Sequence, residues 1–148
     1  MPSWSCCARS ASADKWERGA DKPLKAARTC YRHIAGELGV ALFEGLLARG
    51  TLAARDGHCV LTESGAGELR EMGVALPACA LSADARASRR FAHACFDWSE
   101  RRDHLAGALA VSLLDHSLDH GWLRRTKDSR ALQLTPPGER ALARWIRN

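Results

Sequence analysis

Apolar positions along the chain fall into two blocks that share one grammar. Leu42, Leu46 and Leu47 recur at helical spacing within residues 40–49, and Leu105, Leu109, Leu113, Leu114 and Leu118 do so within residues 99–120, as one buried helix face requires. A first helix is predicted to begin near Thr29 in block one, with Gly39 as an interruption. In block two it is predicted to begin near Asp97, because Asp97-Trp98-Ser99-Glu100 carries an acceptor and a Glu three residues on, the pattern of a capping box. Gly50 and Gly121 follow these helices where a left-handed residue is wanted. Each block then predicts a hairpin: Leu52–Arg55, the turn Asp56-Gly57 and His58–Leu61 in the first; residues 122–126, the turn Lys127-Asp128-Ser129 and residues 130–134 in the second. Thr62 and Thr135 suit N-cap positions of closing helices, with Pro136 placed for a first helical turn.

The shared grammar is an internal repeat. Sliding the chain by 71 residues aligns His33-Ile34-Ala35-Gly36 with His104-Leu105-Ala106-Gly107, Leu38 with Leu109, Val40 with Val111, Gly50 with Gly121 and Leu52 with Leu123. At an offset of 73, Leu61, Thr62, Gly65 and Leu69 meet Leu134, Thr135, Gly138 and Leu142. The expected fold class is α+β, mostly α: two degenerate winged-helix-like repeats, each helix, helix, β hairpin, helix. The expected organisation is a flexible tail over 1–23, repeat one over 24–75, a connector over 76–94 and repeat two over 95–148.

Composition adds bounds. A 46% hydrophobic content over 148 residues is enough for a packed core. No run approaches the roughly 20 apolar residues that cross a bilayer, and the first residues lack the pattern of a secretory signal, so no membrane partner and a cytoplasmic location are expected. Cys6, Cys7, Cys30, Cys59, Cys79 and Cys95 form no C-x-x-C pair or disulfide framework, which fits reduced thiols. The formal charge is +5, and it is localised. Residues 121–148 hold Arg124, Arg125, Lys127, Arg130, Arg140, Arg144 and Arg147 against Asp128 and Glu139, while bases and acids cancel over the rest. A basic field of this kind suits a polyanion such as nucleic acid, or else is a solvated face.

Candidate sites follow from residue type and spacing. Arg124, Arg125, Lys127 and Arg130 on the second hairpin suit DNA phosphate contacts without base specificity. Residues 41–45, Ala-Leu-Phe-Glu-Gly, offer nothing that reads base edges. Cys30 and His33 lie three apart, read as one helix face, with Cys95 and His104 flanking the start of its counterpart. If the copies pack about a pseudo-twofold, His33 and His104 approach one another, and these four residues become an effector or soft divalent-metal site. The plainer reading makes them buried cysteines and core histidines. His116 and His120 share a helix face beside Asp115 and Asp119, but Gly45 and Arg49 stand at the matching places of copy one, and a solvated helix surface is expected. No resident cofactor is otherwise implied. Trp98, Trp122 and Trp145 sit at element boundaries and suit core or subunit packing. No nucleophile elbow, H-E-x-x-H, Walker loop or dinucleotide fingerprint occurs, so no enzyme is expected.

Two stretches carry a resemblance: residues 27–36, Ala-Arg-Thr-Cys-Tyr-Arg-His-Ile-Ala-Gly, and residues 95–107, Cys-Phe-Asp-Trp-Ser-Glu-Arg-Arg-Asp-His-Leu-Ala-Gly. They resemble the C-terminal half of long-chain ArsR/SmtB-type bacterial transcriptional regulators, over residues 24–146. The resemblance implies a homodimer that associates with double-stranded DNA. In that family a DNA-reading winged helix-turn-helix precedes the first stretch; here only about 25 residues do, so the expectation is either that the domain has been lost or that the gene start is misplaced. The family's Cys-x-Cys metal motif is also absent. The function expected is the regulatory and dimerising part of such a regulator with a basic C-terminal wing, the alternative being an effector- or metal-sensing dimerisation module without DNA affinity of its own.

Overall fold

The structure, a computed structural model, describes residues 26–30, 32–55, 58–76, 87–97 and 99–146. Each half of the chain builds a hairpin, a helix, a second hairpin and a closing helix. The first half runs β1 (Arg28–Cys30), β2 (His33–Ala35), α1 (Gly36–Arg49), β3 (Leu52–Arg55), β4 (His58–Leu61) and α2 (Glu63–Glu71). The second runs β5 (His93–Asp97), β6 (Arg102–Ala106), α3 (Ala108–Asp119), β7 (Leu123–Arg125), β8 (Leu132–Leu134) and α4 (Pro136–Ile146). Every strand pairs antiparallel with its neighbour in sequence.

The first element of each half corrects the sequence reading, because it is a β hairpin and not a helix. The capping-box pattern at Asp97 does act through its side chain, but on a turn. Asp97 Oδ1 accepts from Ser99 N at 3.1 Å and Glu100 N at 3.3 Å, and Arg101 closes the turn with a positive φ of 58°. Asp side chains satisfy turn amides as readily as helix amides. The three buried residues in a row of β1 and of β2 show a ribbon covered on both faces, which hides the period-2 signal. Gly39 does not interrupt α1 either. The helix runs through it, and a Cβ there would overlap the Ile34 carbonyl oxygen, so glycine permits close packing on β2.

The later elements follow expectation. β3 and β4 have the anticipated bounds, although the turn Asp56-Gly57 lies outside the described residues. Thr62 caps α2 by accepting from Gly65 N at 2.9 Å, and Thr135 caps α4 by accepting from Gly138 N at 3.1 Å. Gly50 and Gly121 take the left-handed conformation, at φ 85° and 72°. The tail over 1–23 and most of the connector, residues 77–86, lie outside the described residues.

The halves interlock about a pseudo-twofold. Cys59 N of β4 donates to Ala92 O just before β5, at 3.2 Å, and Leu132 N of β8 donates to Ala27 O just before β1, at 2.9 Å. Each second hairpin is therefore stitched to the first hairpin of the other half. α4 likewise crosses α1 so closely that a Cβ on Gly45 would overlap the Trp145 carbonyl oxygen. One apolar core results, with Leu38, Leu42 and Leu46 beside Leu105, Leu109 and Leu113, and Trp145 sealing it while donating to Thr51 Oγ1 at 3.1 Å. Trp145 thus packs within the chain and not outward against a second subunit. No helix among the described residues is long and apolar enough to cross a membrane.

Candidate functional site

The hairpin geometry places two thiols and two imidazoles in equivalent positions. Cys30 sits directly across from His33 in the β1–β2 ladder, and Cys95 sits directly across from His104 in the β5–β6 ladder. The pairs are cross-strand neighbours, as residues opposite each other in an antiparallel ribbon must be, so Cys30 and His33 do not share a helix face and Cys95 and His104 do not flank a helix start. The pseudo-twofold then brings the ribbons together. His33 and His104 lie with ring centroids 5.3 Å apart, and ligand atoms of Cys30, His33 and His104 all fall within 4.8 Å of one another. All three residues are buried; Cys95 is half-buried and packs against Cys30 and Ala35, outside the three-donor set. Cys59, the other buried thiol, stands apart; burial first, then the nearby Asp103 charge, pushes its pKa up.

One member of the site went unrecognised as such in the sequence. Cys30 and His33 are three residues apart, whereas Cys95 and His104 are nine apart, so the second hairpin is longer by six. Those extra residues deliver Asp97, fully buried, to the floor of the cluster. Its Oδ2 accepts from Gly36 N at 2.7 Å and pairs with His104 Nδ1 at 3.2 Å; its Oδ1 accepts from Arg28 Nη2 at 3.1 Å and Ser99 Oγ at 2.7 Å. Burial alone would raise the Asp97 pKa. Hydrogen bonds from His104, Ser99 and Gly36, with the Arg28 guanidinium, hold it instead well below the usual carboxylate range. An ionised Asp97 can only accept, so His104 donates to it from Nδ1, which turns Nε2 the other way. That Nε2 is buried and finds no hydrogen-bond donor among the described residues. Aligning the two cysteines, instead of keeping the 71-residue offset, is the signal that would have exposed the insertion and Asp97 with it.

The basic wing is the second candidate. Arg124 and Arg125 on β7, with Lys127 and Arg130 in the turn to β8, are all exposed, and Arg124, Arg125 and Lys127 form no ion pair among the described residues. The strand behind them is coupled to the cluster. Thr29 N donates to Arg130 O at 2.9 Å and Arg28 bridges to Ala131, one and two residues from Cys30.

The chain is 37% identical over 126 residues, 84% of its length, to YdfF of Bacillus subtilis (strain 168), described as an uncharacterized HTH-type transcriptional regulator. The chain spans about half (53%) of that relative's length. No family model matches the chain, and no solved structure gives a significant match.

The remaining candidates separate cleanly. His116 is buried, not solvated as expected: its ring stacks on His120 at 3.8 Å and meets Trp122 edge-on at 4.7 Å. Burial, then the His120 charge, lowers its pKa, with Asp119 opposing. The His116–His120 pair is thus a ring stack against Trp122, and the donor cluster found among the described residues lies elsewhere. Trp98 lies outside the described residues.

Proposed function

We propose that this chain is the regulatory and dimerising part of an ArsR-like, HTH-type transcriptional regulator in the cytoplasm, built from two hairpin–helix–hairpin–helix repeats. Its DNA contact is electrostatic, through Arg124, Arg125, Lys127 and Arg130, and it has no catalytic role. The observation that carries the reading is the direct backbone bonding between the basic wing and the strand bearing Cys30. A change of state at the buried thiol–imidazole cluster moves β1, and β1 is hydrogen-bonded to the wing that faces the phosphates. α1 contributes no reading head, since its buried face carries Leu38, Leu42, Phe43 and Leu46, and its exposed positions include Glu37 and Glu44. Sequence choice therefore belongs to other parts of the assembled regulator, and this wing adds affinity.

The test is fluorescence anisotropy of a labelled random-sequence duplex titrated with the chain at low and moderate salt. Micromolar binding that weakens steeply with salt is expected, because phosphate contacts release counterions. The Arg124→Glu/Arg125→Glu/Arg130→Glu variant is expected to abolish it. Equal binding by wild type and variant would remove the wing from the proposal. No binding by either favours the second reading, a sensing and dimerising module with no DNA affinity of its own, which the buried cluster supports without the wing.

A further inference from the structure

We infer that Cys30, His33 and His104 form a binding site for a thiophilic divalent metal ion of the zinc class, with Asp97 as the positioning residue behind His104. This deepens the regulator reading, on which it rests for its biological role, by naming the effector class; the binding itself stands on geometry alone.

Three observations converge. The first is the donor set: one sulfur and two imidazoles, all buried, with ligand atoms within 4.8 Å of one another. Tetrahedral ligation at about 2.3 Å for sulfur and about 2.0 Å for nitrogen puts donors roughly 3.3–3.7 Å apart, so the set need close by at most about 1.5 Å. The second is His104 Nε2. It is buried with no hydrogen-bond partner among the described residues, and leaving such an atom unsatisfied costs stability that a Lewis acid would recover. The third is Asp97, which sits on the opposite ring nitrogen at 3.2 Å. A carboxylate in that place is the usual outer partner of a metal-bound histidine: it fixes the tautomer and raises the basicity of the ligating nitrogen.

The donor chemistry narrows the ion. Thiolate with imidazole suits Zn²⁺ and its congeners, whereas Mg²⁺ and Ca²⁺ take oxygen ligands. Binding is a simple exchange in which Cys30 releases its thiol proton to solvent, the two histidines bind as neutral rings, and nothing is oxidised or reduced. Asp97 and Arg28 are already paired at 3.1 Å and cancel. The ion therefore meets one thiolate in an otherwise neutral surrounding.

The experiment titrates Co²⁺, then Zn²⁺ in competition, into the reduced full chain and follows thiolate-to-cobalt charge-transfer absorption. The expected result is a 1:1 band displaced by Zn²⁺. It should persist in Cys6→Ser/Cys7→Ser, Cys59→Ser and Cys95→Ser, and vanish in Cys30→Ser. His104→Gln should weaken Co²⁺ by at least about 100-fold with the circular-dichroism spectrum unchanged; Asp97→Asn should weaken it by about 10–100-fold, with the band position kept, as an outer-partner loss does. Absence of the band in wild type, its survival in Cys30→Ser, or its loss in Cys6→Ser/Cys7→Ser or Cys95→Ser overturns the assignment. A duplex-binding titration with and without Zn²⁺ then tests the regulator reading separately: a normal cobalt band with metal-independent DNA affinity refutes the regulatory role while leaving the site intact.

Discussion

Replacing Asp97 by asparagine removes one charge with almost no change of shape, and its cost follows from the hydrogen-bond inventory. Both carboxylate oxygens only accept: Oδ1 from Arg28, Ser99 and Glu100, Oδ2 from Gly36 and His104. The side-chain amide of the Asp97→Asn variant has one NH₂ to place. On the Oδ2 side it opposes the Gly36 N–H; on the Oδ1 side it opposes the Arg28 guanidinium. In either pose Arg28, itself 1% exposed, keeps its charge and loses the carboxylate it is paired with. Breaking a buried ion pair from one side costs about 3–5 kcal/mol, a large part of the roughly 5–15 kcal/mol that holds such a domain together. The melting temperature should fall by about 10 °C, given roughly 2–4 °C per kcal/mol at this size. Urea unfolding followed by circular dichroism measures the change directly. The pH dependence supplies a second readout. Because the native pKa of Asp97 lies below its ordinary 3.8, the unfolded chain takes up the proton first as pH falls; the stabilisation is complete above that value and lost on acidification through the native pKa. Wild type should therefore lose stability more steeply than Asp97→Asn from about pH 5 to about pH 3. A cost below about 1 kcal/mol, or parallel acid limbs, would refute the buried network.

Gly45→Ala should cost about 3 kcal/mol or prevent folding, because its Cβ would overlap the Trp145 carbonyl oxygen, whereas Gly67→Ala, with nothing within 4 Å, should gain about 0.5–1 kcal/mol as a helix substitution. Thermal melts of the pair decide it, and equal effects would mean that α1 and α4 do not cross there. The native pKa of His116 is lowered from 6.5, so its contribution is present above about pH 6.5 and is lost as pH falls through the native value; comparing urea midpoints at about pH 7.5 and about pH 5.5 should show wild type losing more than His116→Gln. An unchanged difference in the variant would remove His116 as the source.

What was legible in the sequence was what repeats. The two strand-like runs on either side of residues 56–57, and Thr62 and Thr135 with glycine three residues on, are local signals, and β3, β4, α2 and α4 stand where they point. The first hairpins were not legible, for two reasons. Their strands are short and buried on both faces, which erases alternation, and Asp97 caps a turn with the same side-chain acceptor that would cap a helix. The approach of His33 to His104 followed from assuming a pseudo-twofold. The roles of Asp97 and Arg28 did not, because a 71-residue offset pairs Arg28 with Ser99, while the ladders pair Cys30 with His33 and Cys95 with His104.

The useful asymmetry of the molecule lies where the repeat is broken. Two equivalent hairpins alone would bring two histidines together with equivalent surroundings, and nothing in such a pair selects which nitrogen of either ring is protonated. The β1–β2 ladder ends at the Cys30–His33 rung, so it has no place for a residue like Asp97; the longer β5–β6 ladder continues two rungs further and ends on it. One carboxylate on one side engages one ring, and that ring is the one that shares a donor cluster with Cys30 and His33. The same logic applies at the helix crossings. The 71-residue offset sets Gly45, where α4 comes within touching distance, against His116, whose bulk is taken up by His120 and Trp122. Duplication accounts for the shared core, and the departures from it supply both the pre-oriented imidazole and the titrating ring stack. Those departures are therefore where substitution should change chemistry, and the matched glycines and threonines are where it should change stability alone.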